Sequence, residues 1–459
     1  MDKDLSPITI KTRLATPTTI ARSISLALTI FGCVSLHAAQ YQYALNTQVE
    51  DSNNITGQLG GDEGEAYSLG LSFGLDSFQL REWDIDLNGQ ISSVEYSEDS
   101  LQNEELYDFQ STVLYKPLHS KFTLLTLANY GQVPINRFST QEVNNVRDER
   151  AWVMRPRYYY SMTQTDRVNF EYTFFDYYLE ETDQPVLGQN STNVTQSFLV
   201  NYEKQVNPTN SLSLNLKTSE TEYDESEVNA IDYDRDDIFL RWVMRNSTNQ
   251  IQIDLGESDI VDANQQELKQ DLQVVSISRQ INLNNSIELA YSNSFNNQLN
   301  TNENTNTVSV NQQNNFSRVQ VVEEYSLNFT HDDSIFDFTL GFSDSEIDQV
   351  GSNNTEQRKQ GSVGLTYSLT RLFNNGSRSS VRINYIKSES EFDTSFTAIA
   401  ANEIDNYRIA FNYAFSSNFQ ISLEYSVRNT IQQNVDFTVN EIDTESTFIN
   451  FIYSDRGRL

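Results

Sequence analysis

The sequence predicts an all-β protein, a single antiparallel meander of about 20 strands (range 16–22) that closes into a transmembrane barrel. Three observations lead to this prediction. Stretches in which apolar and polar residues alternate recur from Ala66 to the C-terminus. The segments between them are short turns and long polar loops in alternation. Aromatic residues collect at the ends of the alternating stretches.

The composition excludes several classes of protein. Among 459 residues only 37% are hydrophobic, and acids outnumber bases by 33. Low hydrophobicity with high net charge is typical of disorder. Disordered chains are poor in aromatic residues, however, and this chain has 24 Tyr and 26 Phe. The acidity also argues against nucleic acid as a partner, because phosphate binding needs a basic face.

The N-terminus has the features of an export signal. Basic residues including Arg13 and Arg22 precede the apolar run SISLALTIFGCVSLHAA, which ends in small residues. We expect cleavage near Ala38 or Ala39, so that residues 1–39 are the signal peptide and 40–459 the barrel. Two alternatives remain open, a short membrane anchor and a lipoprotein acylated at Cys33.

Removal of the leader leaves a chain with an unusual charge and no thiol. The leader carries four cationic and two acidic side chains, so its loss takes the formal charge from −33 to −35. Cys33 is the only cysteine, so the exported chain forms no disulfide. No later apolar run approaches the length of a membrane-spanning helix. A bacterial envelope protein fits these features.

The run VNFEYTFFDYYLEE, residues 168–181, shows the strand pattern. Val168, Phe170, Tyr172 and Phe174 share one parity, and polar residues hold the other. A period of two indicates a strand with one apolar face. The pattern recurs in about 20 stretches of about ten residues, the length of a transmembrane strand.

The connections indicate how these strands are arranged. Short ones such as RNSTNQ and AFSSNF alternate with long polar ones, which predicts short periplasmic turns and long acidic extracellular loops. The predicted long loops are 131–150, 180–192, 223–235, 256–268, 294–316, 348–361, 390–404 and 429–444. In a bilayer only helices and closed barrels satisfy every backbone polar group, so a closed meander is expected.

Aromatic residues at strand ends predict belts at the two membrane surfaces. Those singled out are Tyr158, Tyr159, Tyr160, Tyr177, Tyr178, Tyr413, Phe415 and Tyr453. Pro156 falls inside a predicted strand, which predicts a bulge or the barrel rim there. The pair Val321 and Val322 breaks the alternation, which predicts a bulge or a changed register.

Catalytic and metal-binding motifs are scarce, and neither an enzyme nor a cofactor is expected. His119 and His331 fall in predicted turns, far apart in sequence. The only candidates for metal ligands are Asp232, Asp234 and Asp236, since alternate carboxylates can bind Ca²⁺. Residues 237 and 243 are Asp and Val where a calcium-binding loop needs Gly and Glu, so a solvated acidic loop is favoured.

The parity opposite the apolar residues carries both charges. In a barrel these side chains face the lumen, where charged groups set the field felt by a solute. The predicted lumen-lining residues are Asp84, Asp86, Glu171, Arg241, Arg245, Arg382, Arg408, Glu424 and Arg428. A barrel of about 20 strands is wide enough for an aqueous channel unless loops fold into it.

Two segments carry a family resemblance, RPRYYYSMTQTDRVNFEYTFFDYYLEE and NYRIAFNYAFSSNFQISLEYSVR. Each is a strand, a short turn of Ser, Thr and Asn, and a second strand rich in Tyr. This pattern resembles the outer-membrane barrels associated with exopolysaccharide loci and the PEP-CTERM/exosortase sorting system. The chain departs from the usual barrel ending, because SDRGRL follows Phe451 and Tyr453. The resemblance implies a barrel that serves polysaccharide or surface-protein export.

Three functions remain open from the sequence. The first is a pore or export conduit in the outer membrane of a Gram-negative bacterium. The second is a structural or adhesive outer-membrane barrel with a plugged lumen. The third is a secreted β-rich adhesin outside any membrane. The first two imply lipid, lipopolysaccharide and the barrel assembly machinery as partners, and the first also implies polysaccharide export components.

Overall fold

The computed structural model describes residues 40–56, 61, 63–80, 82–98, 101–134, 146–180, 192–224, 232–263, 265–296, 299–301, 308–310, 320–349, 355–370, 379–393, 399–434 and 438–458. The expected leader and Cys33 lie outside these residues, so cleavage and acylation stay predictions. In the part of the chain described, no helix has the length and apolar character needed to cross a membrane.

The described residues form 22 strands. Twenty of them make one sheet, while β14 and β15 pair only with each other. The strands are β1 (Gln40–Ser52), β2 (Gly64–Leu80), β3 (Trp83–Tyr96), β4 (Glu104–Tyr115), β5 (Phe122–Pro134), β6 (Val146–Ser161), β7 (Asp166–Leu179), β8 (Asn193–Asn207), β9 (Asn210–Tyr223), β10 (Tyr233–Arg245), β11 (Asn249–Asp262), β12 (Glu267–Asn282), β13 (Asn285–Asn296), β14 (Leu299–Thr301), β15 (Val308–Val310), β16 (Gln320–Asp332), β17 (Phe336–Gln349), β18 (Thr355–Ser368), β19 (Ser380–Asp393), β20 (Ile399–Ala414), β21 (Phe419–Asn434) and β22 (Val439–Arg458).

The large sheet is closed. Each strand pairs antiparallel with the next one in the chain, and β13 pairs with β16 across the small β14–β15 sheet. The first and last strands complete the circle, with an unbroken register from Gln40↔Arg458 to Ser52↔Ser446. The predicted single meander barrel of about 20 strands is therefore confirmed.

The connections differ between the two ends of the barrel. We call the end that holds Gln40 and Arg458 the turn rim and the opposite end the loop rim. Turn-rim connections include residues 208–209 and 283–284, whereas loop-rim connections include 135–145 and 180–192. The predicted alternation is present only in part. The predicted loops 256–268, 348–361, 390–404 and 429–444 are wrong, because strands continue into them and leave only residues 263–266, 350–354, 394–398 and 435–438 as connections. At the turn rim, the connection 369–379 is longer than these four. The pair β11 and β12 is an example of the continued strands. They continue to residues 262 and 267, because the polar residues still alternate in a regular ladder.

Side-chain oxygens stabilise the short turns. The Asn246 Oδ1 atom accepts hydrogen bonds from the backbone N–H of Thr248 and Asn249, at 2.9 and 2.8 Å. The Asp333 carboxylate accepts from the N–H of Ile335 and Phe336, at 2.7 and 2.8 Å. These two bonds hold the pKa of the Asp333 carboxyl below its usual value. Asn and Asp are favoured in turns for this reason, because they bond backbone groups two residues ahead.

The strands are longer than the predicted ten residues or so. β13 has 12 residues and β22 has 20. The C-terminal residues SDRGR that follow Tyr453 belong to β22 and pair with the first five residues of β1. The residues that follow the aromatic Tyr453 thus lengthen β22, the strand that closes the barrel.

Both predicted irregularities are wrong. β6 keeps one register with β7 on either side of Pro156, although the ladder omits Arg155 and Pro156. A proline lacks the N–H group that a strand pair needs for its hydrogen bonds. Pairing between β6 and β7 is therefore interrupted at these residues, but neither strand contains an extra residue. Val321 and Val322 lie in regular ladders with both neighbours of β16. The register shifts lie elsewhere, in β2–β3, β8–β9, β12–β13 and β20–β21.

We expect deletion of residues 454–459 to prevent closure of the barrel. Gln40–Ala44 then lose their partners on β22, which leaves unpaired backbone groups between the first and last strands. The compact, heat-modifiable band on a cold detergent gel should disappear. Deletion of Leu459 alone, which lies beyond the described ladder, is the control and should keep that band. A compact band in both deletions would contradict the closure by β22.

Candidate functional site: the inner wall of the barrel

Side-chain parity divides the wall into two faces. Most large apolar residues that remain exposed share one parity along each strand, which we call the outer face, and the other parity is the inner face. Tyr159 on β6 and Ile386 on β19 are exposed residues of the inner-face parity. Val168, Phe170, Tyr172 and Phe174 lie on the outer face, as the alternation predicts. Exposed outer-face residues include Leu45, Leu214, Leu240, Leu255, Ile277, Leu289, Phe342, Ile383, Ile409, Leu423 and Phe451.

The inner face carries all nine candidate lining residues. Their parity is opposite to that of the exposed residues Trp83, Phe170, Ile238, Ile383, Ile409 and Leu423 on the same strands. Arg408 and Glu424 meet across β20 and β21, with 2.9 Å between Nε and Oε1. Arg245 and Arg382 have exposed side chains. The full set is Asp84 and Asp86 on β3, Glu171 on β7, Arg241 and Arg245 on β10, Arg382 on β19, Arg408 on β20, and Glu424 and Arg428 on β21.

Arginines on β6, β7 and β10 each face a carboxylate on the next strand. Arg157 lies opposite Glu171 in the register, and its Nη2 is 2.5 Å from the Glu171 carboxylate. The same arrangement joins Arg167 to Glu203 at 2.7 Å and Arg241 to Asp254 at 2.9 Å. Opposite charges that face each other across a strand pair neutralise one another. Sequence alone did not select Arg157, Arg167, Glu203 or Asp254, because finding such pairs requires the register.

Asparagines continue this polar wall between the ion pairs. The Asn169 amide donates to the Asn201 side-chain oxygen at 2.8 Å, and Asn201 donates to Asn215 at 2.6 Å. Asn215 in turn donates to the Ser213 hydroxyl at 3.3 Å. The three asparagines occupy facing positions on β7, β8 and β9. The result is a chain of neutral hydrogen bonds along the inner face.

A cavity of about 710 Å³ lies against this wall at the turn rim. Its lining combines Lys116, Arg157, Arg167 and Arg245 with Glu171, Glu203, Asn169 and Tyr159. Most of these charges already have an opposite charge beside them, so the wall offers hydrogen bonds with little net field. Such a surface suits a hydrophilic solute rather than a strongly charged one.

The inner face is different near the loop rim, where apolar side chains are buried. Phe175 and Tyr177 on β7 are 0% exposed and pack with Ala151, Val153 and Leu179. A second cluster joins Tyr233, Ile260 and Phe295. The inner wall is therefore polar near the turn rim and partly apolar near the loop rim.

The outer face has aromatic residues at both ends of its apolar band. Near the loop rim, tyrosine hydroxyls donate to carboxylates that lie on the same face. Examples are Tyr107 to Asp148 at 2.5 Å, Tyr325 to Glu323 at 2.7 Å, Tyr385 to Asp405 at 2.9 Å and Tyr425 to Glu445 at 3.1 Å. Near the turn rim, Tyr202 donates to Asp166 at 2.9 Å. Two predicted belt members are wrong, because strand alternation turns Tyr159 and Tyr177 to the inner face.

The histidines and the candidate metal ligands lie apart. His119 is in the turn before β5, and His331 lies at the end of β16, where its ring contacts Asn285 and Asp333. Asp234 and Asp236 lie on the outer face of β10 rather than in a loop, and Asp232 accepts the Tyr223 N–H at 2.8 Å. Within the described residues no group of three or more His, Cys, Asp or Glu is placed to hold a metal ion.

Comparisons with known proteins identify similar barrels but no family. No protein-family profile and no curated protein matches the sequence. The FrpB iron transporter of Neisseria meningitidis is 8% identical, with 94% of this chain and 83% of that chain covered and a TM-score of 0.46. The siderophore receptor PirA of Pseudomonas aeruginosa is 9% identical, with coverage of 90% and 80% and a TM-score of 0.42. OpdQ of the same species is 10% identical, with coverage of 91% and 99% and a TM-score of 0.39. Similarity at this level carries no argument about function.

We expect Asn201→Ala to destabilise the barrel by roughly 1–3 kcal/mol, because the half-buried Asn169 amide loses its acceptor and the buried Asn215 side-chain oxygen loses its donor. Urea unfolding in lipid vesicles measures the change. Asn384→Ala is the matched control, since Asn384 is also an inner-face asparagine but makes no side-chain hydrogen bond to another described residue. Equal losses in the two variants would show that the asparagine chain adds nothing.

A double-mutant cycle tests the pair Arg241 and Asp254. Arg241→Ala should cost roughly 3–5 kcal/mol, because the Asp254 side chain is only 4% exposed and loses its counter-charge. Asp254→Ala combined with Arg241→Ala should cost less than the two single losses added together. Additive losses in the same urea assay would show that the two side chains are not coupled.

Proposed function

We propose that the chain is an outer-membrane barrel of a Gram-negative bacterium and that its inner wall conducts hydrophilic solutes. One observation carries the proposal: a closed 20-stranded wall has exposed apolar residues outside and hydrogen-bonded ion pairs inside. Water cannot favourably cover a continuous apolar band of this kind, whereas lipid can. Export through a cleaved leader, assembly by the barrel machinery and contact with lipopolysaccharide belong to the same proposal.

The inner wall favours polyhydroxylated solutes, and we propose a saccharide as the cargo. Asn169, Asn201 and Ser213 offer amide and hydroxyl groups, and Tyr159 adds an aromatic ring near the turn rim. Ion pairs such as Arg167 with Glu203 present donors and acceptors side by side at almost no net charge. Export of an exopolysaccharide is the specific form of this proposal, with polysaccharide export components as partners.

A structural or adhesive barrel with a plugged lumen is the second candidate. The observation in its favour is the burial of inner-face side chains near the loop rim. Phe175 and Tyr177 are 0% exposed, and Glu149 on the neighbouring strand is 1% exposed. An open aqueous channel would leave such residues in contact with water. In this case the exposed acidic loops carry the function and the lumen conducts nothing.

Reconstitution of residues 40–459 in planar bilayers separates the two candidates. A pore should give discrete conductance steps, and proteoliposomes should swell in neutral oligosaccharides. Substitution of Arg245 by Glu should alter the preference for cations over anions, because its exposed side chain lies beside the cavity. Tyr130→Glu on the outer face is the control and should leave ion preference unchanged.

Absence of conductance from a correctly folded barrel would overturn the pore and leave the plugged barrel. A chain that stays folded and soluble without detergent would overturn both. Heat-modifiable migration after detergent extraction is the measurement for this last point.

A further inference from the structure

One pair of neighbouring strands separates before it reaches the loop rim. β12 and β13 are paired from Asn282↔Asn285 only to Gln273↔Asn293. The ladder between β11 and β12 continues six residues further, to Glu267, and the ladder between β13 and β16 continues to Asn296. Both strands therefore extend past the point where they part.

The end of β13 lies over the inner side of β12. Gln270 is on the inner face of β12, yet its amide donates to the Asn293 side chain, which has outer-face parity, at 2.9 Å. An unbroken ladder would place residue 296 opposite Gln270, three residues further along β13. This contact requires β13 to turn inward at Asn293.

Phe295 shows how far the turn goes. Its side chain is 3% exposed and belongs to one buried cluster with Tyr233 of β10 and Ile260 of β11. Tyr233 and Ile260 have inner-face parity, whereas Phe295 has outer-face parity. The end of β13 must therefore turn inward for Phe295 to join this cluster. Val321 on β16 is partly buried against the same cluster, because β16 stays paired with β13.

Arg235 fixes the end of β13 in this position. Its guanidinium donates to the Phe295 backbone carbonyl at 3.2 Å and lies 5.6 Å from the centre of the Phe295 ring. Asp237 holds the same guanidinium at 2.6 Å and accepts the Ser258 hydroxyl at 2.6 Å. The Arg235 and Asp237 side chains are 6% and 3% exposed. A buried charge held by this many partners adopts one geometry, which makes it a specific anchor.

We propose that residues 293–296 form a flap that narrows the barrel mouth at the loop rim, and that Arg235 latches the flap closed. The proposal rests on the proposed pore. When the latch is released, β13 returns to the wall and its ladder with β12 extends, so that residue 296 faces Gln270. Backbone hydrogen bonds then replace the contacts of Arg235. Two arrangements that exchange one set of bonds for another form a two-state element.

Paired cysteines distinguish the two states, and residues 40–459 contain no native cysteine. Gln270→Cys with Asn293→Cys should form a disulfide when the flap is closed. Gln270→Cys with Asn296→Cys should form one only when the ladder is extended. Adding Arg235→Ala should shift the ratio of the two crosslink yields by roughly ten-fold or more, as expected for loss of hydrogen bonds from a charged group.

Conductance then tests what the flap does. The 270–293 disulfide should give smaller steps than the same protein after reduction, and Arg235→Ala should give larger steps than the parent chain. Arg408→Ala is the matched control, because Arg408 is an inner-face arginine with a carboxylate partner, Glu424, on the neighbouring strand, and the β20–β21 ladder keeps one register from Ala401 to Ala414. It should leave the crosslink ratio unchanged.

The outcomes separate the flap from the pore. A 270–296 crosslink that dominates in the parent chain, or a ratio that Arg235→Ala leaves unchanged, overturns the latch whatever the conductance. If Arg235→Ala changes the ratio of the 270–293 and 270–296 crosslinks while conductance stays constant, the proposed narrowing of the barrel mouth is overturned. Crosslinks that switch in a barrel with no conductance overturn the proposed pore and leave the latched flap in place.

Discussion

Backbone hydrogen bonding between β1 and β22 is the constraint on which the other features depend. It closes the sheet into a circle, although β12 and β13 part before they reach the loop rim. Closure also gives the two side-chain parities of each strand different surroundings, because one parity points out of the barrel and the other points into it. Apolar exposure outside and ion pairing inside are then two consequences of the same geometry.

The register between neighbouring strands determines which polar side chains lie opposite one another. Arg157, Arg167 and Arg241 each face a carboxylate because of how neighbouring strands align, and a shift by one residue would move every one of them to the outer face. The same inner wall becomes apolar near the loop rim, where Phe175 and Phe295 are buried. A polar inner wall with buried apolar side chains near one rim is the physical basis of both the proposed pore and the plugged alternative.

Much of the fold could be predicted from the sequence, because a period of two and the alternation of connections are local patterns. The strand at Val168–Phe174 and the inward parity of Glu171 follow from that period alone. Partners could not be predicted, since Asn169, Asn201 and Asn215 come together through the register of three strands. The doublet Val321–Val322 predicted a local bulge, whereas both residues lie in regular ladders and Val321 packs against the cluster of Phe295, a contact that no short window of sequence contains.

The positions of the two termini have a consequence for how the chain folds. Tyr43 and Asp455 contact each other although they are 412 positions apart in the sequence, whereas Tyr43 faces Phe73 within a hairpin. By loop-closure entropy the distant contact costs roughly 2 kcal/mol more than the hairpin contact. The first strand therefore stays unsatisfied on one side until the last strand has been synthesised. A factor that shields the first strand would protect the chain from aggregation during that interval.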